Sequence, residues 1–371
     1  MTWLVFSYSL PSKAQSSPRV ALWRRLRRLG AITLTGGIHV LPAREEDLEA
    51  FQLAPDTFRV YSNLSYDYMS LDRLAEARAI LEQARERNLS DALVQNYFQL
   101  AFLENDTAEM DRIVASAMGT SDEDTLLAVQ SDTEAFHGRL NRARDISERA
   151  IRSALRSDAK ETAADWQVSE ALREAEFGNV LEARNKAAEA LALAPTMDVQ
   201  IAAAMVLARA GQSAQAESLV DSLQKKYPNN TLVNAFWVPS ILAAVALERK
   251  QAAQALKYLE EAATYEYGGG KPPFFFQATM YPAYLRGEAF LATQRWNEAM
   301  AEFQKIIAHR GLVGNFPLGA LAHVQLARAA ANASNVSVAR QAYAELLALW
   351  EDGDSDLRIL REARAESGRL K

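Results

Sequence analysis

One short pattern recurs along most of this sequence and limits what the chain can become. Its clearest copy is the stretch GNVLEARNKAAEALALAP, from Gly178 to Pro195. Gly178 ends one helix, Pro195 ends the next, and Ala183, Ala187 and Ala190 fall between them at spacings of four and three, on one helix face. The small residue that lets a second helix approach a first can be followed through the chain as Ala77, Met110, Ala143, Ala183, Ala216, Ala255, Ala299 and Ala339, at intervals of 33, 33, 40, 33, 39, 44 and 40 residues. Seven positions after each of these comes an apolar residue: Ala84, Ala117, Ala150, Ala190, Leu223, Ala262, Ile306 and Leu346. Five positions before three of them stands a glycine (Gly138, Gly178, Gly211), where a tight turn between helices needs an unbranched residue. An ordinary helical bundle has no reason to keep this register. A stack of similar helical hairpins does, because each unit buries its apolar face only against its neighbours.

The first copy fills the same pattern with Tyr61, Leu64, Ser65, Tyr68, Ala77, Leu81 and Ala84. On these residues and the closing Pro195 and Pro228, the region of about 55–352 resembles the tetratricopeptide repeat family. The resemblance implies a mainly α chain: a right-handed superhelix of about eight helical hairpins whose first helices line a concave groove for a protein or peptide partner. The segment around Asp356–Leu370 is expected to be a capping helix. By the same resemblance, Arg59, Ser62, Asn63 and Tyr66 in the first unit and Tyr284, Glu288 and Arg328 in the late units are groove positions. Asn63 matches a position that some relatives use to hold a peptide backbone, whereas the basic residues of a carboxylate clamp are not evident. The block also looks like the carboxy-terminal repeat half of certain bacterial serine/threonine kinases and winged-helix regulators. The kinase glycine-rich loop and the HRD and DFG sequences do not occur, so this resemblance implies a docking or sensing half.

Charge separates the amino end from the rest. The net charge is −6, yet residues 1–44 carry seven basic side chains and no acidic one, leaving −13 for the remainder. Thr2–Leu10 reads as a strand ended by Pro11, and Arg19–Leu29 as a helix with Val20, Trp23, Leu26 and Leu29 on its apolar stripe. Ala31–Thr35 and Ile38–Leu41 read as a hairpin around Gly36-Gly37, and Arg44–Gln52 as a second helix. The order β-α-β-β-α is one strand short of a ferredoxin-like unit. Trp3-Leu4-Val5, Leu10-Pro11-Ser12, Arg19-Val20, Trp23-Arg24-Arg25-Leu26, Leu29-Gly30-Ala31, Gly37, Val40-Leu41-Pro42 and Phe51 resemble the amino-terminal domain of ChrB, the bacterial chromate-resistance regulator. The division expected from sequence is thus a truncated ChrB-like module over 1–53 and a repeat solenoid with its capping helix over 54–371. Arg24, Arg25, Arg27 and Arg28 are the candidate nucleic-acid contacts, because clustered arginine attracts phosphate without reading sequence.

Two stretches interrupt the repeats. Residues 265–284 (YEYGGGKPPFFFQATMYPAY) contain three glycines and two adjacent prolines that forbid a continuous helix. GGGK is no phosphate loop, since no strand precedes it and no Ser or Thr follows Lys271. The aromatics Phe274, Phe275, Phe276, Tyr281 and Tyr284 read as a loop folding back on its own apolar groups, or alternatively as a ligand-facing patch. Val313–Leu318 (VGNFPL) is a shorter insertion of the same kind.

The chemistry that remains is sparse. There is no cysteine, which excludes disulfides, thiol nucleophiles and Cys-held metal. His39, His137, His309 and His323 are isolated, and no HExxH or GxSxG spacing occurs. No run of about 18 apolar residues suggests a membrane span, and the first residues lack a signal-peptide pattern. The sequence therefore points to a non-enzymatic, cytoplasmic interaction scaffold or sensor module of bacterial type, without cofactor or metal. The alternative is a DNA-binding transcription regulator related to chromate resistance, with the repeats as effector or oligomerisation domain.

Overall fold

The computed structural model describes residues 3–7, 32–35, 38–42, 58–267 and 280–370. The chain divides into two compact units, Met1–Leu100 and Ala101–Lys371.

Three strands come first: β1 (Trp3–Ser7), β2 (Ile32–Thr35) and β3 (Ile38–Pro42). They form one antiparallel sheet in the order β1-β3-β2, with Trp3 opposite Pro42 and Ser7 opposite Ile38. β2 pairs Ile32 with Val40 and Thr33 with His39, and the register shifts between Thr33 and Thr35. Both outer strands run against β3, so β1 and β2 point the same way. The helices expected at Arg19–Leu29 and Arg44–Gln52, and with them Arg24, Arg25, Arg27 and Arg28, lie outside the described residues.

From Phe58 onward the described chain is helical hairpins. They pair α1 (Phe58–Ser70) with α2 (Leu74–Glu86), α5 (Glu123–Phe136) with α6 (Leu140–Arg156), and α7 (Lys160–Glu176) with α8 (Val180–Leu193), while α3 (Val94–Leu103) and α4 (Thr107–Ala117) come between α2 and α5 in the chain. The series continues with α9 (Met197–Arg209) and α10 (Ser213–Lys226), α11 (Val238–Glu248) and α12 (Ala252–Ala262), α13 (Tyr281–Ala292) and α14 (Trp296–Ala308), and α15 (Leu318–Asn332) and α16 (Val336–Leu349). A last helix, α17 (Arg358–Arg369), buries Leu360 and Ala363 and leaves a charged outer side, as the end of such a stack requires.

One turn builds every hairpin. The residue five before each small anchor has a positive φ: Asp72, Asn105, Gly138, Gly178, Gly211, Lys250, Gln294 and Ser334, between 55° and 82°. In each turn the next residue's N–H bonds the carbonyl five positions back, as Arg73 does to Tyr68 at 2.9 Å and Asn179 to Glu174 at 2.8 Å. The left-handed residue's own N–H bonds the carbonyl three back, as Gly178 does to Ala175 at 3.0 Å. This double closure satisfies the orphan carbonyls of the first helix and reverses the chain in the fewest residues. The second helix then enters with its anchor against the first. Seven anchors are alanines with no exposed surface, and Met110 is also buried. Side-chain caps fix three helix starts: Asp106 accepts from the Glu109 N–H, Thr196 from Val199, and Asn335 from Val338.

Where two helices approach still closer, even a methyl does not fit. A Cβ on Gly287 of α13 would stand 2.5 Å from the Phe303 ring of α14. Pro239 follows directly on the stretch Val233–Trp237, which is wound as a π-helix, and this wider turn inside a helix that begins at Thr231 accommodates the N–H that proline lacks.

Within the second unit the last hairpin folds back onto the third. Trp350 is fully buried; its Nε1 donates to the Phe136 carbonyl at 2.8 Å, and its ring stacks on Phe177 with centroids 5.7 Å apart. The Asp354 N–H bonds the Gly138 carbonyl at 2.9 Å, and Asp354 Oδ2 accepts from the Asn141 N–H at 2.7 Å. The insertion Val313–Leu318 adds a plug: Asn315 Nδ2 donates to the Val129 carbonyl at 2.7 Å and to Thr133 Oγ1 at 2.9 Å.

Gly138 and Gly178 occupy the same turn position but differ in surroundings. A Cβ on Gly138 would lie 2.8 Å from the Trp350 ring, while one on Gly178 would meet nothing within 4 Å. Gly178→Ala should therefore cost only the strain of a positive φ, about 1 kcal/mol. Gly138→Ala should cost that and the overpacking of Trp350, about 2–4 kcal/mol in all. Urea unfolding of the two variants beside the parent checks the difference.

Candidate functional site

The groove positions expected in the first unit lie on α1. Tyr61, Leu64, Ser65, Tyr68 and Met69 turn inward, which leaves Arg59 and Asn63 exposed and Ser62 and Tyr66 half-buried. The Ser62 hydroxyl donates to Asn96 Oδ1 of α3 at 3.2 Å, and Asn96 Nδ2 returns bonds to the Ser62 carbonyl at 3.0 Å and to Ser65 Oγ at 2.9 Å. This cluster fixes the step from one first helix to the next. Burial pushes the Tyr66 phenol well above its usual range, so it stays protonated. The cluster is laid out as a polar surface of hydrogen-bonding groups, with no nucleophile beside a base.

The groove positions expected in the second unit are occupied by internal partners. Tyr284 is buried, with its hydroxyl 3.4 Å from Gln325 Nε2. Glu288, one turn along α13, takes Arg209 of α9 in a two-pronged pair at 2.5 and 2.9 Å. Arg209 grips Glu176 of α7 in the same way, at 3.0 and 2.9 Å, and the Tyr281 hydroxyl donates to Glu176 Oε1 at 2.8 Å. Burial works against the Arg209 charge, but the two carboxylates hold its pKa well above the ordinary arginine value. Burial raises Glu288 in spite of Arg209. An open recess of about 250 Å³ lies over this knot, lined among others by Arg209, Glu248, Glu288 and Leu291. Arg328 of α15 has acidic partners of its own. It binds Glu362 at 2.9 Å and Glu366 at 3.0 Å on α17, and Tyr343 also donates to Glu366 at 2.7 Å.

One feature escaped the sequence reading. Along α7 the residues Glu161, Asp165, Ser169, Leu172 and Glu176 recur every three or four positions, so they share one side of the helix. This side is mostly polar, yet all but Glu161 are buried. Burial pushes the Asp165 carboxyl up to about 8, and the charges of Asp198 and Glu161 add to the rise. Asp198, in the first turn of α9, is raised as well by burial. The sequence signal was an aspartate amid small and aromatic residues, Ala163-Ala164-Asp165-Trp166, where a solvated helix face would not be expected.

The histidines in the helical region have local partners. His137 Nδ1 is 2.8 Å from the Thr133 carbonyl, His309 Nδ1 is 2.7 Å from the Lys305 carbonyl, and His323 Nδ1 is 3.1 Å from Glu345. Among the described residues no group of three or more His, Asp or Glu is placed to hold a metal ion. No described helix is long and apolar enough to cross a membrane.

No family model matches this chain, and no curated protein matches it. Solved structures do. A monomeric IFIT1 mutant with m7Gppp-AAAA aligns with 87% of this chain and 77% of its own at 17% identity and a TM-score of 0.47. Yeast Tom70 aligns with 96% of this chain and 97% of its own at 12% identity and a TM-score of 0.36. The P58(IPK) TPR domain aligns with 96% and 98% at 15% identity and a TM-score of 0.27.

Two outcomes follow from these charges. Arg209→Met leaves Glu176 and Glu288 buried without their cation and should cost about 3–5 kcal/mol, a loss that Glu176→Gln with Glu288→Gln should largely restore. For Asp165 the folded pKa lies above the unfolded value. The carboxyl thus favours the fold below about pH 4, and this contribution is lost as pH rises towards 8. Asp165→Asn should flatten the dependence of thermal stability on pH across that window. At pH 8 it should be more stable than the parent by roughly 5 kcal/mol, the linkage energy of a carboxyl moved from about 4 to about 8.

Proposed function

We propose that this chain is a non-enzymatic docking scaffold of the tetratricopeptide kind, holding a protein or peptide partner against the first helices of its hairpins in the cytoplasm. The observation that carries the reading is the division of labour within α1. Tyr61, Leu64, Tyr68 and Met69 are buried in packing, while Arg59 and Asn63 stand exposed, with Ser62 and Tyr66 half-buried beside them. Asn63 offers an amide with donor and acceptor together, suited to the backbone of an extended peptide, and Arg59 offers a forked cation. The neighbouring Ser62–Asn96 contact holds this face rigid, which lowers the entropy lost on binding. The hairpin repeat supplies the frame.

In the second unit Tyr284, Glu288 and Arg328 brace the frame through Arg209, Gln325 and α17. The contact face proposed for the partner is therefore Arg59, Ser62, Asn63 and Tyr66.

A peptide-array screen with the full chain, followed by calorimetry on the strongest peptide, tests this. One-to-one binding is expected, weakened at least tenfold by Arg59→Glu with Asn63→Ala and unchanged by Leu181→Ser on the exposed side of α8. Affinity that ignores the α1 substitutions, or an array with no binder, contradicts the reading.

A further inference from the structure

The buried acids of α7 are answered by the chain's own cations, with one exception. Glu170 meets Lys186 at 3.3 Å, Glu174 meets Arg144 at 2.7 Å, and Glu176 meets Arg209 at 2.9 Å. The nearby Arg173 is taken by Asp132 at 2.5 Å and by the Ser147 hydroxyl. Asp165 has no such partner. Only 3% of it is exposed, and its Oδ1 makes no hydrogen bond. The same holds for Asp198 Oδ1 on α9, the first helix packed beside α7, so the two carboxyls do not share a hydrogen bond through these atoms. One turn along α7 from Asp165, the Ser169 hydroxyl is also buried and unpaired.

A native fold rarely leaves such atoms on one helix and the helix packed beside it, because each has given up water and received nothing in return. Exposure also falls in a graded way along this row. Glu161 is open to solvent, Asp198 is half-buried, and Asp165 and Ser169 are buried. One unpaired oxygen from each carboxylate and the hydroxyl oxygen make three acceptors, the number an ammonium group donates to, and a guanidinium can use the same set. α7 and α9 pack on each other, and the charges of Asp198 and Glu161 both act on Asp165.

We propose that Asp165, Asp198 and Ser169, with Glu161 at the rim, form a receptor for an ammonium or guanidinium group, carried by a lysine or arginine side chain of a docked peptide. The inference rests on the docking reading and names the chemistry of the partner. The bound cation supplies the partner that Asp165 lacks, as Lys186, Arg144 and Arg209 do for the other acids of α7.

The test uses the full chain at pH 9, where the acids are ionised. The probes are a blocked pentapeptide with a central lysine between alanines, the same peptide with norleucine in place of lysine, and spermidine as a free amine. Calorimetry and thermal midpoints are read for the parent and for Asp165→Asn with Asp198→Asn. That double variant removes buried charge, so it stays folded, as circular dichroism verifies. The lysine peptide is expected to bind the parent at least tenfold more tightly than the double variant, with norleucine showing no binding to either. Equal binding to parent and variant, or no binding to the parent, overturns the receptor. Spermidine binding without peptide binding overturns the peptide as the source of the cation. If an array-selected peptide binds through α1 while these probes do not separate the two proteins, the docking reading stands and the receptor alone falls.

Discussion

The helical part of this protein depends on a turn that allows no slack. A residue held at positive φ, followed five positions later by a side chain small enough to be wholly covered, sets where the second helix begins and how near it comes. Everything outward from the turn inherits that geometry. The anchor decides which face of the second helix is buried, as Ala183, Ala187 and Ala190 show on α8. The direction of the first helix decides which of its sides is left for something other than its own hairpin. Close approach at the anchor also explains why so much of the core is alanine: the packing comes from backbones brought together more than from large side chains.

The second constraint is electrostatic. Several carboxylates of this acidic chain lie inside the stacked hairpins, where an isolated charge is costly. Most are resolved by paired geometry: Arg209 between Glu176 and Glu288, Arg286 between Glu266 and Glu302, and Arg328 between Glu362 and Glu366. Arg209 and Arg328 link helices of different hairpins, so those pairs also fix how hairpins stack, whereas Arg286 ties the two helices of one hairpin. A cation shared by two carboxylates is hard to replace, because losing it strands both acids. Against this background an unanswered acid such as Asp165 stands out as a position shaped by something besides folding.

The hairpins were legible because their register is local. The alanine anchors and the apolar residue seven positions on lie within one helix, and the turn lies one step before it. Three left-handed positions were visible as Gly138, Gly178 and Gly211. The others are Asp72, Asn105, Lys250, Gln294 and Ser334, which accept the same φ with ordinary side chains. Composition cannot reveal those; only their constant distance from the anchor does. What could not be read was any contact set by distance in three dimensions. Trp350 lies on a turn 212 residues earlier in the chain, at Gly138, and Asn315 reaches Val129 and Thr133. The same blindness applies to side chains at groove positions. Repeat position alone marks Tyr284 and Glu288 as facing a groove, whereas in the fold Arg209 of α9 takes Glu288, and Tyr284 is buried against Phe303. Phe274, Phe275 and Phe276 fall outside the described residues, while Tyr281 and Tyr284 at the end of that insertion are buried.

The most direct measurement of the account is amide hydrogen exchange of the full chain, read segment by segment with and without the lysine pentapeptide. A scaffold that takes its partner on first helices, with a cation receptor between α7 and α9, predicts slower exchange in the opening turns of those two helices and no change on the outer helices α8 and α10. Protection confined to α8 and α10, or spread evenly over the chain, would contradict it.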